Sequence, residues 1–135
     1  MSLAFRDFRS LGRSAAVATL LAGSVFGSGF AQASDVIKFG APLPLTGALS
    51  PEAMKAKQGF EIWMETVNKN GGIKVGDRKM KVEIAFVDYQ SNTPKAVQAA
   101  ESLITQGKVD FLFSPHGSGA AKAASIVSEK YKVPT

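Results

Sequence analysis

Met80-Lys81-Val82-Glu83-Ile84-Ala85-Phe86 alternates large apolar residues with Lys81, Glu83 and Ala85, the two-residue period of a strand with one buried face. The run ends at Asp88-Tyr89-Gln90-Ser91, after which Thr93-Pro94 places a hydroxyl cap and a proline at a helix start. Val97, Ala100 and Ile104 mark that helix's buried stripe and Gly107 stops it. Val109 to Phe113 is then nearly all apolar, as a strand covered on both faces should be. Strand, helix and strand in such short succession make a βαβ unit, whose strands are parallel and whose crossover is right-handed.

The same rhythm extends in both directions. Val36-Ile37-Lys38-Phe39-Gly40-Ala41 reads as an earlier strand, broken by Pro42, Pro44 and Gly47. Ser50-Pro51-Glu52 opens a helix with an N-cap hydroxyl, a first-turn proline and an acid at the positive end of the dipole. Ala56, Phe60, Trp63 and Val67 follow on one stripe, which is core packing rather than ligand stacking, and Asn70-Gly71-Gly72 ends the helix. Ile73 to Lys79 is a short excursion with a Gly76-Asp77 turn. Downstream, the loop Ser114-Pro115-His116-Gly117-Ser118-Gly119 leads into a helix from about Ala120 to Tyr131, with Ala121, Ala124, Val127 and Tyr131 inward. Val133-Pro134-Thr135 is the expected onset of a fourth strand. The fold class is therefore α/β, with a doubly wound parallel sheet of βαβαβα-β order. Residues 34–135 are expected to be the truncated N-terminal part of one lobe of a longer protein, because a small parallel sheet with an open edge needs further units.

Residues 1–33 follow a different logic. Arg6, Arg9 and Arg13 give a basic start, and no charge occurs from Ser14 to Ser34. The centre is apolar, Ala15 to Ala22, and Ala31-Gln32-Ala33 supplies small residues at a cleavage point. This is the pattern of a secretory signal peptide cut between Ala33 and Ser34. A spanning anchor fits less well, because Gly23, Ser24, Gly27, Ser28 and Gly29 make the second half weakly apolar and poorly helical. Removing 33 of 135 residues leaves 102, delivered to the periplasm or exterior.

Composition removes several classes of function. With 45% hydrophobic and 20% charged residues the chain has ordinary globular composition. The net charge of +5 includes +2 from the leader, and the rest comes from lysines scattered among acids, so no basic run suggests nucleic acid. There is no cysteine, which excludes disulfides, thiolate metal sites and a lipidated N-terminus. A single histidine excludes a histidine-rich metal site. No lysine–serine pair forms a P-loop, and Lys122 takes the last position of a G-x-G-x-x-G register. His116 takes the first glycine position of a nucleophile elbow around Ser118, so that motif fails as well. No cofactor is expected.

In an open α/β sheet, ligands sit beyond the carboxyl ends of the strands, where strand order reverses. Three loops reach that edge: Pro42–Ser50, Asp88–Asn92 and Ser114–Gly119. In the third, Gly117 and Gly119 allow close backbone approach and Ser118 adds a hydroxyl. All three loops lead into helix N-termini, which suit a carboxylate or other anion. Ser118 serves equally well as a plain helix cap. Asp88 is placed to meet a ligand's amine or hydroxyls, or to act as a turn residue.

The spacing of these pieces resembles a known family. Val36-Ile37-Lys38-Phe39-Gly40 with Pro44-Leu45-Thr46-Gly47 is similar to the opening of the leucine/isoleucine/valine-binding type of periplasmic protein. So are Val67-Asn68-Lys69-Asn70-Gly71-Gly72-Ile73, the Asp88 loop, Lys95 to Glu101, Phe111 to Gly119, and Glu129 to Pro134, in order along the mature chain. The resemblance implies a type I solute-binding protein, the extracytoplasmic receptor of an ABC importer, whose two α/β lobes close on a small ligand. It implies an amino acid of the branched-chain type, or a similar carboxylate or amide, whose carboxylate is held by the Gly117-Ser118 loop and the start of the following helix; the candidate ligand-binding residues are Ser118, Gly117, Gly119, His116, Asp88 and Thr46. It also implies an inner-membrane permease as partner, a monomeric receptor, and no catalysis. The sensor domain of a signalling receptor is the alternative on the same fold, and an exported α/β enzyme a more distant one.

Overall fold

The computed structural model describes residues 36–135. The β-branched and aromatic start of that stretch forms β1, Val36–Leu43. It pairs in parallel with β3, Arg78–Asp88, from Val36 opposite Lys81 to Leu43 opposite Asp88. On its other side β1 pairs in parallel with β4, Phe111–Leu112. Three helices lie among the described residues: α1, Ser50–Lys69, α2, Thr93–Thr105, and α3, Ser118–Tyr131. The expected α/β, doubly wound plan is therefore present.

Four details differ from the sequence reading. The excursion Ile73–Lys79 contains a strand, β2, Ile73–Val75, which folds back antiparallel on β3 and gives a sheet order β2-β3-β1-β4. The sheet is thus mixed, because the turn at Gly76-Asp77 is too short for anything except a hairpin. The caps each fall one residue earlier than expected. Leu49, Asn92 and Gly117 occupy the N-cap positions, so Ser50, Thr93 and Ser118 lie inside their helices. Of the three, only Asn92 caps with its side chain, accepting from Lys95 N at 3.1 Å. The expected strand Val109–Phe113 is regular only at Phe111 and Leu112, although Asp110 N and Phe113 N still donate to Lys38 O and Gly40 O of β1 at 2.8 and 2.7 Å. Val133-Pro134-Thr135 is not a strand, although the Pro134 carbonyl already accepts from Leu112 N at 2.9 Å, on the β4 edge.

Alternation of side chains along β1 divides the core in two. Ala41 and Leu43 face α1 with Ala53, Phe60, Ile84, Phe86 and Phe113. Phe113 stacks on Phe60 with centroids 4.2 Å apart and on Phe39 at 5.2 Å, and Trp63 meets Phe39 edge-on at 5.4 Å. The opposite face holds Leu112 and Val109 against Ala100, Leu103 and Ile104 of α2 and Ala124 and Val127 of α3. Each fully buried leucine or valine there contributes roughly 1.5–3 kcal/mol. Tyr131 packs at this core's edge as expected, but Ala120 and Ser128 are buried with Ala124 and Val127 where Ala121 is only partly so. Beyond β2 the exposed edge of β3 has another partner: the Asn68 side chain donates to Val82 O at 2.8 Å and accepts from Val82 N at 2.7 Å. A residue at the end of α1 thus supplies the hydrogen bonds that a neighbouring strand would otherwise make.

Candidate functional site at the carboxyl ends of the strands

Strand order decides where a site forms. The connection from β1 through α1 runs to β3 on one side, and the connection from β3 through α2 returns to β4 on the other. At their carboxyl ends the adjacent β1 and β4 lead into α1 on one face of the sheet and α3 on the other, the switch-point arrangement beside which ligands bind in open α/β sheets. The loop after β1 carries Thr46. The loop after β4 carries His116 and Gly117, and the first turn of α3 that follows carries Ser118 and Gly119, all exposed. The loop after β3, with Asp88 at its start, flanks the first.

In the loop after β4, Gly117 adopts φ +96°, a conformation that a side chain makes costly, and an added Cβ there would meet nothing within 4 Å. The Gly117 carbonyl accepts from Ala121 N at 2.9 Å, closing the first turn of α3. No side chain caps this helix, so Ser118 does not serve as its N-cap. Among the described residues, no acceptor takes the N–H groups of Gly117, Ser118, Gly119 or Ala120, nor does any side chain engage the Ser118 hydroxyl. Such a first turn concentrates partial positive charge on outward amides. Its chemistry is that of an acceptor for carboxylate or other anionic oxygens.

Asp88 and Thr46 are brought together, and they are bonded to each other. Thr46 Oγ1 donates to Asp88 Oδ2 at 2.7 Å, Thr46 N to Oδ1 at 3.3 Å, and Gln90 N to Oδ1 at 2.7 Å. Desolvation pushes the Asp88 carboxyl up, but the Thr46 hydroxyl and the backbone amides of Gln90, Thr46 and Leu45 outweigh it and hold the pKa below the ordinary value. Ser91 completes the tie by donating to Thr46 O at 2.8 Å and accepting from Leu49 N at 3.1 Å. Gln90 and Ser91 hold this shape at φ +55° each, a left-handed pair without glycine. This arrangement braces two loops together and uses the Asp88 oxygens on the protein itself.

Ser91 and Tyr89 were not singled out by the sequence reading. Tyr89 is 1% exposed, and its hydroxyl donates to the His116 carbonyl, joining the loop after β3 to the loop after β4. Burial raises its pKa, so it remains a neutral donor. The only hint in the sequence was an aromatic inside an otherwise polar turn. Among the described residues no group of three or more His, Asp or Glu side chains is arranged to hold a metal, and no helix is long and apolar enough to cross a membrane. A depression of about 220 Å³ lies beside Asp88, Gln90 and Lys95. An apolar hollow of about 470 Å³ lies at the far end of the strands, around Ile37, Met80 and Phe111.

Comparison with known proteins adds an independent line. A family profile described as "Periplasmic binding protein" matches residues 36–135. A Leu/Ile/Val-binding protein homolog 7 from Brucella suis is 36% identical over 118 residues, 87% of this chain and 27% of its own length. Among solved structures, the branched-chain amino acid transporter substrate-binding protein of Streptococcus pneumoniae, in complex with isoleucine, superposes with a TM-score of 0.67 at 31% identity. That match covers 73% of this chain and 27% of the other. A Rhodopseudomonas palustris ABC transporter solute-binding protein in complex with benzoate gives 0.62 at 30% identity, covering 74% and 26%. The chain therefore spans about a quarter of the length of the relatives it matches.

Proposed function

The chain belongs to the periplasmic binding protein family, and from that premise we propose that it is the opening part of a solute receptor serving an ABC importer. In this reading the receptor takes up an amino acid of the branched-chain type or a related small carboxylate or amide. The observation that carries it is the exposed first turn of α3 at the switch point between β1 and β4, with the Gly117, Ser118 and Gly119 amides and the Ser118 hydroxyl unsatisfied among the described residues. A carboxylate seated there accepts from amides and the hydroxyl and is favoured by the helix dipole. His116 borders the same surface. Thr46 and Asp88 lie one loop away and act by holding the β1–α1 loop at the rim of the crevice.

The mechanism needs no bond to be made or broken. One lobe offers the amide turn, a second lobe beyond residue 135 closes over the ligand, and the ligand's differential affinity for the closed state shifts the population towards it. The closed receptor is then presented to an inner-membrane permease, as a monomer in the periplasm. The leader of residues 1–33, which lies outside the described residues, directs export and is removed between Ala33 and Ser34. Support for the ligand class comes from relatives that bind isoleucine and benzoate, both of which carry a carboxylate.

The test is isothermal titration of the full-length mature protein with L-leucine, L-isoleucine, L-valine, benzoate and leucinamide. A micromolar or tighter Kd for at least one carboxylate, weakened when Ser118 is changed to alanine, is expected. Absence of binding to any of them would remove the proposal. Mass spectrometry of the secreted protein should find Ser34 at the N-terminus, and an intact leader would contradict the export reading.

A further inference from the structure

Tyr89 holds a position that the binding reading leaves unused. Among the described residues it is the largest of the fully buried side chains, and it touches all three loops at the carboxyl edge. Its N–H donates to Leu43 O at 3.1 Å, at the end of β1, and its own carbonyl accepts from Asn92 N at 2.9 Å. It shares one buried cluster with Ala96 and Ala99 of α2 and Ala120 in the first turn of α3. Its hydroxyl donates to the carbonyl of His116.

That last bond fixes more than a distance. In a trans peptide the carbonyl and the following N–H point in opposite directions. A His116 carbonyl drawn inward to the buried Tyr89 hydroxyl obliges the Gly117 N–H to point away from the interior. This amide has no acceptor among the described residues. The next residues are the exposed Ser118 and Gly119. Glycine at 117 is free to take either sign of φ, so rotation of the His116–Gly117 peptide is not blocked by a side chain. Some other group must select one orientation, and the Tyr89 hydroxyl is bonded at the place to do so. We propose that Tyr89 is a positioning residue, its hydroxyl holding the His116–Gly117 peptide so that the Gly117 N–H faces the ligand crevice. The role in binding rests on the reading above of the α3 turn as the ligand's seat. The orientation of the peptide does not.

The experiment uses the full-length mature protein and its Tyr89→Phe variant, which keeps the ring packing. The amide resonance of Gly117 is followed by ¹H–¹⁵N NMR without ligand, and L-leucine, L-isoleucine and benzoate are titrated separately. The expected result is a displaced or doubled Gly117 resonance and about tenfold weaker binding, the scale of one lost hydrogen bond. A general loss of structure would instead move resonances throughout β1 and β3. An unmoved Gly117 resonance overturns the inference whether or not the wild type binds these ligands. A moved resonance with unchanged affinity overturns the role in binding. If the wild type binds none of the three, the proposed function fails while the resonance still decides the orientation. Should the phenylalanine variant not fold, 3-fluorotyrosine at position 89 keeps ring and hydroxyl while changing donor strength. The Gly117 amide must then shift, and a fixed resonance overturns the inference.

Discussion

Removing the hydroxyl of Thr46 and the carboxylate of Asp88, singly and together, measures the brace between the loops after β1 and β3. Thr46→Val keeps the branched shape and deletes one bond, Oγ1 to Asp88 Oδ2 at 2.7 Å. Asp88→Ala deletes that bond and the two from Gln90 N and Thr46 N. A hydrogen bond to a charged group contributes about 1.5–3 kcal/mol when well protected, and exposure with ionic screening reduces it. We expect about 1 kcal/mol from Thr46→Val and about 2–3 kcal/mol from Asp88→Ala. In the double-mutant cycle the amide bonds cancel, leaving a coupling of about 1 kcal/mol for the hydroxyl–carboxylate pair. Because the folded-state pKa of Asp88 is depressed, its stabilisation is fully present above the ordinary aspartate value and is lost as pH falls through the folded value. The coupling should therefore be constant from neutral pH to about pH 5 and shrink below about pH 4. Urea denaturation of the full-length mature protein at several pH values, with unchanged m, is the assay. A coupling below about 0.3 kcal/mol at pH 7, within the error of additivity, or one indifferent to acid, would refute the brace.

Three further outcomes follow from the geometry. Gly72 sits at φ +103°, where an added Cβ would come within 2.1 Å of Met80 O, so Gly72→Ala should cost about 3–5 kcal/mol. Gly76→Ala, at φ +60° with nothing within 4 Å, should cost only about 1–2 kcal/mol; equal midpoints in urea would contradict the contact at Gly72. Asn68→Ala leaves both backbone groups of buried Val82 unpaired on that side and should cost about 2 kcal/mol, with faster amide exchange at Val82 seen by NMR. Raising pH past about 10 should lower stability, because burial raises the Tyr89 pKa in the folded state and ionisation favours the unfolded chain. Tyr89→Phe should remove that component from the pH–stability curve.

Much of this protein was legible from residue order alone. Period-two alternation at Met80–Phe86 and apolar stripes in the helices depend only on which face each residue meets, so the elements and the α/β class followed from the sequence. The same logic placed Gly117, Ser118 and Gly119 at a helix start on the carboxyl edge, because glycine and proline act on the backbone locally. Cap positions slipped by one residue because the backbone φ and ψ, not the side-chain type, decide which residue ends outside the helix, so apolar Leu49 and Gly117 stand where a polar cap was expected.

The tertiary structure decided what depends on distant residues meeting. That β2 turns back on β3, that Asn68 completes the edge at Val82, and that β1 and β4 adjoin with α1 and α3 on opposite faces all depend on contacts between separate elements of the chain. The roles of Thr46 and Asp88 changed for the same reason: the sequence offers two polar groups at two strand ends, and only folding brings them 2.7 Å apart. Tyr89 is the clearest case. Its bond to His116 spans 27 residues and has no local signature, since burial and hydrogen bonding across the sheet edge are properties of neighbours in space, not along the chain.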